Sequence, residues 1–374
     1  MKAAHLAAQR APDARLLVVD ARGALAHARR SRLADFLKPG DLLVANDAAT
    51  MPASLAGAHL PTGAAIEVRL AGRRSLAVDD VREFTAVVFG DGDWHTPTEH
   101  RALPPELRPG DVLALGPLRA RILRLQGHPR LVSLHFEGDA DTVWAGIAQH
   151  GKPIQYAHVP QPLALWDVWT RVAALPVAFE PPSAGFVLDW ALLSALKARG
   201  VGFATLTHAA GISSTGDDAL DARLPLDEPY DIPPATVHAI AQAKRSSHRV
   251  IALGTTVARA LEHAASLGQL RAGAGVADQR IGPQTRLRVV DAIVSGTHEP
   301  GTSHYELLRA FAPDDVLRRA SDELERAGYL THEFGDTVLI EAHVAKAVRP
   351  GSPNTGQCEV CRADAGPALA CSTP

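Results

Sequence analysis

A glycine and two threonines stand between an apolar run and a segment of helical periodicity in the stretch 249–262. The run Val250–Leu253 is typical of a buried strand, and we expect Gly254 to lead into a helix capped by the hydroxyls of Thr255 and Thr256. The first amides of a helix have no partner within it and attract a carboxylate or another anionic group. The sequence therefore predicts a ligand-binding corner here, with an ordinary helix cap as the alternative.

Two histidines follow strand-like segments and are candidates for proton transfer. His298 comes after the apolar segment 287–294, and His208 comes after the apolar segment 201–206. Imidazole titrates near neutral pH, so either ring could act as an acid or a base. Ligands of open parallel sheets bind at the carboxyl ends of the strands, where we expect both histidines. The alternatives are a surface or capping role for His298 and a structural role for His208.

Further polar or small residues stand at predicted strand ends and turns. Arg259, near the start of its helix, could bind a carboxylate or pair with Glu262 one turn later on the surface. Asn46 and Asp47 end a buried strand and could contact a ligand or cap a turn. A small-residue turn after two prolines allows close approach of a ligand, or packs against the sheet. This turn consists of Ser183, Ala184 and Gly185.

Length and composition exclude several classes of protein. A chain of 374 residues exceeds what one core usually accommodates, so we expect two domains. With 46% hydrophobic and 21% charged residues, the composition is that of a folded globular protein. A formal charge of −3 gives no general attraction for nucleic acid. No apolar run is long enough for a membrane span and no signal core begins the chain, so we expect a cytoplasmic protein.

The three cysteines, Cys358, Cys361 and Cys371, all lie near the C-terminal end. The first two have metal-ligand spacing, but they make only half of a zinc site. Proline, glycine and alanine around them predict a flexible tail over 347–374. The rest of the sequence has no cluster with metal-ligand spacing, so we expect no metal site in the body.

The pattern of strands and helices predicts an α/β fold with an insertion. After Gly151, strands alternate with helices, which we predict at 188–199, 233–244, 305–311 and 313–327. This alternation favours a mostly parallel sheet flanked by helices. Short alternating segments between 58 and 150 favour a small antiparallel β-barrel instead. We therefore expect a discontinuous α/β domain, 1–57 and 151–346, an inserted barrel domain, 58–150, and the tail.

Five sequence blocks, in order along the chain, resemble one known family. They lie at 39–55, 182–185, 250–262, 290–300 and 329–336. Their most distinctive parts are Pro-Gly-Asp-Leu-Leu-Val-Ala-Asn-Asp, Pro-Ser-Ala-Gly and Val-Ile-Ala-Leu-Gly-Thr-Thr. Together they are similar to the motifs of S-adenosylmethionine:tRNA ribosyltransferase-isomerase, a family of queuosine biosynthesis. The resemblance implies an α/β domain with an inserted β-barrel, as the strand pattern does.

The resemblance also implies a reaction. The ribosyl part of S-adenosylmethionine would be transferred to an amine of a 7-deazaguanine in tRNA and isomerised, with release of adenine and methionine. S-adenosylmethionine would be a substrate, and no other cofactor is implied. His298 and His208 would transfer protons, and Asn46 and Asp47 would contact the acceptor. S-adenosylmethionine would be bound by Ser183, Ala184, Gly185, Gly254, Thr255, Thr256 and Arg259.

The sequence departs from the family at several positions. Two arginines of the family correspond to Ala49 and Ser54, and a histidine corresponds to Val187. Arginine suits phosphate oxygens, so its loss weakens the prediction of tRNA binding. We interpret the chain as a diverged paralogue that keeps S-adenosylmethionine and acts on tRNA or a related acceptor. The alternatives are a lyase or cyclase that cleaves S-adenosylmethionine without tRNA, and a non-catalytic nucleoside-binding protein.

Overall fold

The computed structural model of the chain describes residues 1–7, 14–266 and 268–343. The predicted tail, 347–374, with its three cysteines, therefore lies outside the described residues, as do the last positions of the predicted α/β domain. Within these three ranges, no helix is long and apolar enough to cross a bilayer.

Nineteen β-strands occur in the described ranges. The first ten are β1 (Lys2–Ala3), β2 (Arg15–Val19), β3 (Leu25–Arg29), β4 (Leu42–Asn46), β5 (Ala48–Thr50), β6 (Ser54–His59), β7 (Ala64–Gly72), β8 (Glu83–Phe89), β9 (Val112–Leu115) and β10 (Leu118–His128). The others are β11 (Leu131–Phe136), β12 (Leu175–Ala178), β13 (Gly202–His208), β14 (Glu228–Ile232), β15 (Val250–Leu253), β16 (Gly273–Ala277), β17 (Ala292–Gly296), β18 (Leu330–Thr331) and β19 (Thr337–Glu341).

Eight α-helices and three short 3₁₀ segments occur in the same ranges. The helices are α1 (Ala140–His150), α2 (Leu165–Val168), α3 (Trp190–Ala198), α4 (Asp218–Asp221), α5 (Pro234–Arg245), α6 (Thr255–Ser266), α7 (Ser303–Leu308) and α8 (Asp314–Arg326). The 3₁₀ segments are Arg30–Phe36, Thr98–His100 and Ser183–Val187. The four predicted helices after Gly151 correspond to α3, α5, α7 and α8, with ends shifted by a few residues. Gly200, which follows α3, has a positive φ of 70°, as is common for a glycine just beyond a helix end.

Nine strands form the central sheet, in the order β16-β14-β13-β4-β15-β17-β19-β2-β3. The four strands β13, β4, β15 and β17 run parallel to one another, and β19 runs parallel to β2. The other four pairings of the sheet are antiparallel. The predicted α/β class is confirmed, and the sheet is parallel mainly at its centre.

The central strands are buried on both faces, because alternate side chains enter two different cores. On one face Leu43 and Ile251 pack with residues of α3. On the other face Val44 and Val250 pack with residues of α5, α6 and α8. Burial on both faces explains why these strands are continuous apolar runs in the sequence. Because helices cover both faces of the sheet, the ends of its central strands are the parts left uncovered.

Strands β6 to β11 close into a six-stranded barrel in the order β10-β11-β8-β7-β6-β9. All its pairings are antiparallel, which confirms the predicted inserted barrel. Its first strand begins at Ser54, ahead of the predicted domain start at residue 58, and the domain boundaries themselves remain predictions. Helix α1 was not expected in this region. It escaped prediction because only Val143, Gly146 and Ile147 are buried, a narrow apolar stripe.

The predicted strand over 287–294 is wrong in its first half, since β17 begins only at Ala292. The carboxylate of Glu262, on α6, is buried beside this segment. It accepts hydrogen bonds of 2.7, 2.9 and 2.8 Å from the amides of Arg288, Val289 and Val290. Amides held in this way are not available to a neighbouring strand, so the apolar run forms a loop before it becomes a strand.

Candidate active site

Two adjoining cavities lie where the parallel central strands end. The rim cavity, of about 90 Å³, is lined by the residues that follow β15 and β17 and by the turn near Ser183. The second cavity, of about 250 Å³, extends toward the loop between β18 and β19. Both are lined by Glu180, Pro181, Ser183, Ser213, His298 and His304. The carboxyl edge of the sheet is thus a concave site, as expected for an open α/β sheet.

The turn after β15 forms one wall of the rim cavity. Gly254 has a φ of +104°, and a Cβ atom there would lie 3.3 Å from Cβ of Ala184, so the position favours glycine. Helix α6 begins at Thr255, so the residue before the helix is Gly254, and the prediction of a threonine N-cap is wrong. The hydroxyl-bearing residues Thr255 and Thr256 line the cavity from the first turn. The unpaired first amides of α6 suit a carboxylate.

His298 lies between the two cavities and is held by a hydroxyl and a second ring. Its Nε2 is 3.0 Å from Oγ of Ser295, and its ring stacks on that of His304 with centroids 4.7 Å apart. Burial lowers the pKa of His298 well below its ordinary value, and the neighbouring His304 and His332 lower it further. The imidazole is therefore neutral at neutral pH and has a lone pair that can accept a proton.

Glu180 also lies between the two cavities, and sequence reasoning missed it. The hydroxyl of Tyr156 donates to its Oε1, and the amide of Ser213 donates to Oε2 at 3.1 Å. Burial raises the pKa of Glu180 to about 7, although both hydrogen bonds oppose the shift. The carboxyl group can therefore carry a proton near neutral pH. A single glutamate before two prolines gives no spacing signal, so the sequence did not indicate it.

Arg259 lines the rim cavity, but its guanidinium is mostly engaged with the protein. One nitrogen forms an ion pair with Glu228, which is also buried. The other donor bonds are to the carbonyls of Gln279, Leu226 and Ala277, at 3.0, 2.9 and 2.7 Å. The alternative of a surface pair with Glu262 is wrong, because both side chains are buried with other partners. The binding of a ligand carboxylate by Arg259 remains a prediction.

His208 lies behind the rim cavity and not in its wall. The side chain is fully buried, and its Nε2 is 3.4 Å from Oε2 of Glu228 without hydrogen-bond geometry. Burial and the nearby Arg259 lower the pKa of His208 to about 3, so the ring stays neutral. Its predicted catalytic role is not supported by this position. Any influence of His208 on a ligand would act through Glu228, which does line the cavity.

Three other predicted site residues are not among those that line the two cavities. Asn46 is buried, and its amide exchanges hydrogen bonds of 2.9 and 3.0 Å with the backbone of His208. Asp47 accepts a bond of 2.7 Å from the hydroxyl of Thr207. Gly185 is packed so that a Cβ atom would meet Thr170 at 2.8 Å. Turn capping and packing account for these contacts, and ligand binding by these three residues remains a prediction.

Three of the positions at which the sequence departs from the family it resembles, Ala49, Ser54 and Val187, are absent from the lining of the two cavities. Ala49 is buried in β5, and Val187 is buried in the core beside α3. The hydroxyl of Ser54 donates to Glu67 in the barrel at 2.7 Å. None of these three side chains therefore lines the rim cavity.

The fold also assembles a set of metal-ligating side chains that the sequence did not indicate. His158, His332 and Glu333 each offer one ligand atom, and these atoms lie within 4.8 Å of one another. His158 and Glu333 are 175 positions apart in the sequence, so no spacing rule could associate them. His332 and Glu333 line the second cavity.

Comparisons with known proteins agree along most of the chain. The sequence profile of a family described as Queuosine biosynthesis protein matches residues 1–340. A protein of Azoarcus sp. (strain BH72) named S-adenosylmethionine:tRNA ribosyltransferase-isomerase is 34% identical, over 87% of this chain and 90% of its own length. A protein of the same name from Sorangium cellulosum (strain So ce56) is 33% identical, over 90% of this chain and 95% of its own. A crystal structure of S-adenosylmethionine tRNA ribosyltransferase from Thermotoga maritima aligns over 91% of this chain and 95% of that chain, with a TM-score of 0.46 and 23% identity.

Proposed function

Because the chain belongs to the queuosine biosynthesis protein family, we propose that it is an S-adenosylmethionine:tRNA ribosyltransferase-isomerase. It transfers the ribosyl part of S-adenosylmethionine to an amine of a 7-deazaguanine in tRNA, isomerises it, and releases adenine and methionine. The observation that carries the proposal is the rim cavity. There the turn at Gly254 and the imidazole of His298, which come from separate parts of the sequence, line one space.

The first turn of α6 binds the methionine end of S-adenosylmethionine in this proposal. Its first amides, which have no partner within the helix, and the hydroxyls of Thr255 and Thr256 suit an anionic carboxylate, and the helix dipole adds attraction. Ser183 and Ala184 line the same cavity with small side chains, which leave room for a nucleoside. The second cavity, which shares six lining residues with the rim cavity, accommodates the remainder of the substrate.

Two groups make the proton transfers in this proposal, one that accepts a proton and one that donates a proton. The positive sulfonium polarises the adjacent ribose C5′ and makes its protons more acidic, so a neutral imidazole can remove a proton there. His298 is neutral and supplies this base. Departing adenine must gain a proton, and Glu180, with its pKa of about 7, supplies it. The acceptor amine then forms a C–N bond to the ribosyl carbon skeleton, the C–S bond to methionine breaks, and the amine loses one proton to solvent.

The tRNA acceptor is supported by a basic groove as well as by the relatives' names. This groove has a volume of about 790 Å³ and is lined by residues of the barrel and of segments near α4 and β16. Three carboxylates, Glu83, Asp227 and Asp278, also line it. Its positive side chains are Arg73, Arg74, Arg124, Arg223 and Arg280. Arginines along a groove suit phosphate oxygens, and the overall charge of −3 makes such a local patch necessary.

The proposed reaction uses S-adenosylmethionine as a substrate and no other cofactor. We propose a cytoplasmic location, because the proposed acceptor is tRNA.

The proposal is tested by incubating the full chain with S-adenosylmethionine and tRNA that carries an aminomethyl-7-deazaguanine. We expect adenine release together with a mass increase of the tRNA, and neither with tRNA that lacks the amine. His298→Ala should slow adenine release by about 100-fold or more, since the base is lost. It should still bind S-adenosylmethionine in calorimetry. The control His95→Ala, on the exposed surface, should keep the wild-type rate.

Three outcomes would contradict parts of this proposal. Failure to consume S-adenosylmethionine with the modified tRNA would reject the transferase function. Equal adenine release with and without tRNA would favour a lyase. A His298→Ala variant with the wild-type rate would remove His298 from the mechanism.

A further inference from the structure

Three side chains at the second cavity have the chemistry and spacing of a metal-binding set. The Nε2 atom of His158 lies 3.2 Å from Oε2 of Glu333, and the rings of His158 and His332 stack with centroids 4.3 Å apart. All three ligand atoms lie within 4.8 Å of one another. Two ligands of a tetrahedral zinc ion with bonds of about 2.0 Å lie about 3.3 Å apart. The His158–Glu333 pair already has this separation.

The segments that carry these ligands are fixed by buried neighbours in the sequence. Val159 follows His158 and Phe334 follows Glu333, and both belong to the same apolar cluster. Phe334 also stacks on Phe186 with centroids 5.5 Å apart. Two segments far apart in the chain are thereby held together by packing, so the ligands need little ordering when an ion binds. Such preorganisation favours binding.

The backbone at His332 has an uncommon conformation. Its φ is +69°, a left-handed value that is uncommon for residues other than glycine. Such a conformation is strained, and residues held in it cluster at catalytic and ligand-binding sites. The αL turn between Thr331 and Glu333 directs two consecutive ligands to the same side of the loop, where both line the second cavity.

We propose that His158, His332 and Glu333 bind a Zn²⁺ ion at the wall of the second cavity. Two imidazoles and one carboxylate are a donor set that zinc prefers, and three protein ligands leave the fourth tetrahedral position open. Water or an oxygen atom of a bound molecule in the cavity fills that position. This inference does not depend on the proposed transfer reaction, because it follows from the ligand geometry alone.

The test is a calorimetric titration of the full chain with Zn²⁺ in the absence of S-adenosylmethionine and tRNA. Because the thiols of Cys358, Cys361 and Cys371 are themselves zinc ligands, all proteins carry serine at these three positions. We expect one zinc ion per chain in this background. Cobalt in place of zinc should give the visible absorption of a tetrahedral site without thiolate charge-transfer bands.

Substitutions of the ligands test the assignment. Glu333→Gln and His332→Asn should each weaken zinc binding by about 10-fold or more, since each removes a direct ligand. Asparagine tolerates the left-handed backbone of position 332, so this variant keeps the fold. The control is His95→Ala, which removes a histidine that pairs with one carboxylate, Asp93, on the exposed surface. It should bind zinc as the background does.

Two outcomes would overturn the zinc site. One is a background chain that binds no zinc at submillimolar concentration. The other is zinc binding that is unchanged in both ligand variants while their thermal unfolding remains cooperative. Because the titration contains neither substrate, either outcome would leave the proposed transferase function to be tested by adenine release.

Discussion

At the scale of single residues, the site pairs two titratable groups that are shifted in opposite directions. Burial lowers the pKa of His298 and raises that of Glu180 to about 7, because in both groups a low-dielectric surrounding disfavours the charged form. The result near neutral pH is a neutral imidazole that can accept a proton and a carboxyl group that is protonated in a large fraction of the molecules, both lining the two adjoining cavities. Opposite shifts of this kind assign acid and base roles more reliably than residue type alone.

Glu180→Gln tests the acid role through pH. The wild-type rate of adenine release should fall as pH rises through about 7, because the proton of Glu180 is lost there. The variant cannot donate a proton, so its rate should be lower by about 100-fold or more. Its pH profile should lack this descending limb. Glu106→Gln, at an exposed ion pair with Arg108, is the matched control and should keep the wild-type profile. An unchanged descending limb in Glu180→Gln would rule out this carboxyl as the acid.

The same substitution has a stability readout with a defined sign. The pKa of Glu180 is raised from 4.5 in the free side chain to about 7 in the fold, so between these values the folded state binds more protons than the unfolded state. Stability should therefore fall as pH rises through this window, and Glu180→Gln should flatten the change. Urea midpoints measured across the window give this comparison.

Four residues that follow predicted strands were found from the sequence, although Asn46 and Asp47, also at a strand end, do not line either cavity, and residues placed by distant segments were missed. The rim-cavity positions of Gly254, Thr255, Thr256 and His298 agree with their predicted places after β15 and β17. Glu180 and His304 were missed. What distinguishes these two residues is their burial and the side chains packed around them. Both depend on contacts between remote parts of the chain. For the same reason the sequence could not show that His208 lies behind the rim.

At the scale of elements, the turn between β15 and α6 determines whether the first helical amides face the cavity. Gly254 allows the left-handed backbone, and the close approach of Ala184 leaves little space for a side chain. The local sequence therefore determines both the backbone conformation of this turn and whether a ligand can reach the first amides of α6.

Gly254→Ala tests this turn against a control glycine. Gly63, in the turn between β6 and β7, also has a positive φ of 72°, but a Cβ atom there would have open space. Alanine at either position should cost about 1–2 kcal/mol of unfolding free energy, measured in urea. Only Gly254→Ala should also weaken the binding of S-adenosylmethionine, by about 10-fold, because its Cβ atom displaces Ala184 or the helix start. Equal ligand affinity in both variants would separate the turn from the binding site.

Two elements were predicted wrongly because tertiary contacts overrode local pattern. The apolar run before β17 has strand character, but the carboxylate of Glu262 takes its amides and holds it as a loop. Helix α1 lies in a region of alternating strands, and its narrow apolar stripe follows the barrel surface. Neither effect is visible in a window of ten or fifteen residues.

At the scale of the whole molecule, the sheet brings the ends of strands from distant parts of the chain to one edge. Strand β4 precedes the barrel in sequence, while β13, β15 and β17 follow it, and all four run parallel. The barrel is therefore an insertion that leaves the parallel centre intact. Alternating patterns predicted both the barrel and the α/β class. They could not predict the antiparallel edges, since the pairing of strands far apart in sequence leaves no local trace.

The central claim is that the rim cavity binds S-adenosylmethionine, and calorimetric titration of the full chain with this ligand tests it most directly. We predict one ligand per chain. Ala184→Leu, which extends a larger side chain into the cavity beside Gly254, should bind about 10-fold more weakly or not at all, while Ala198→Leu, on the exposed face of α3, should bind normally. No binding by the wild-type chain, or equal affinity in the wild type and Ala184→Leu, would contradict the account.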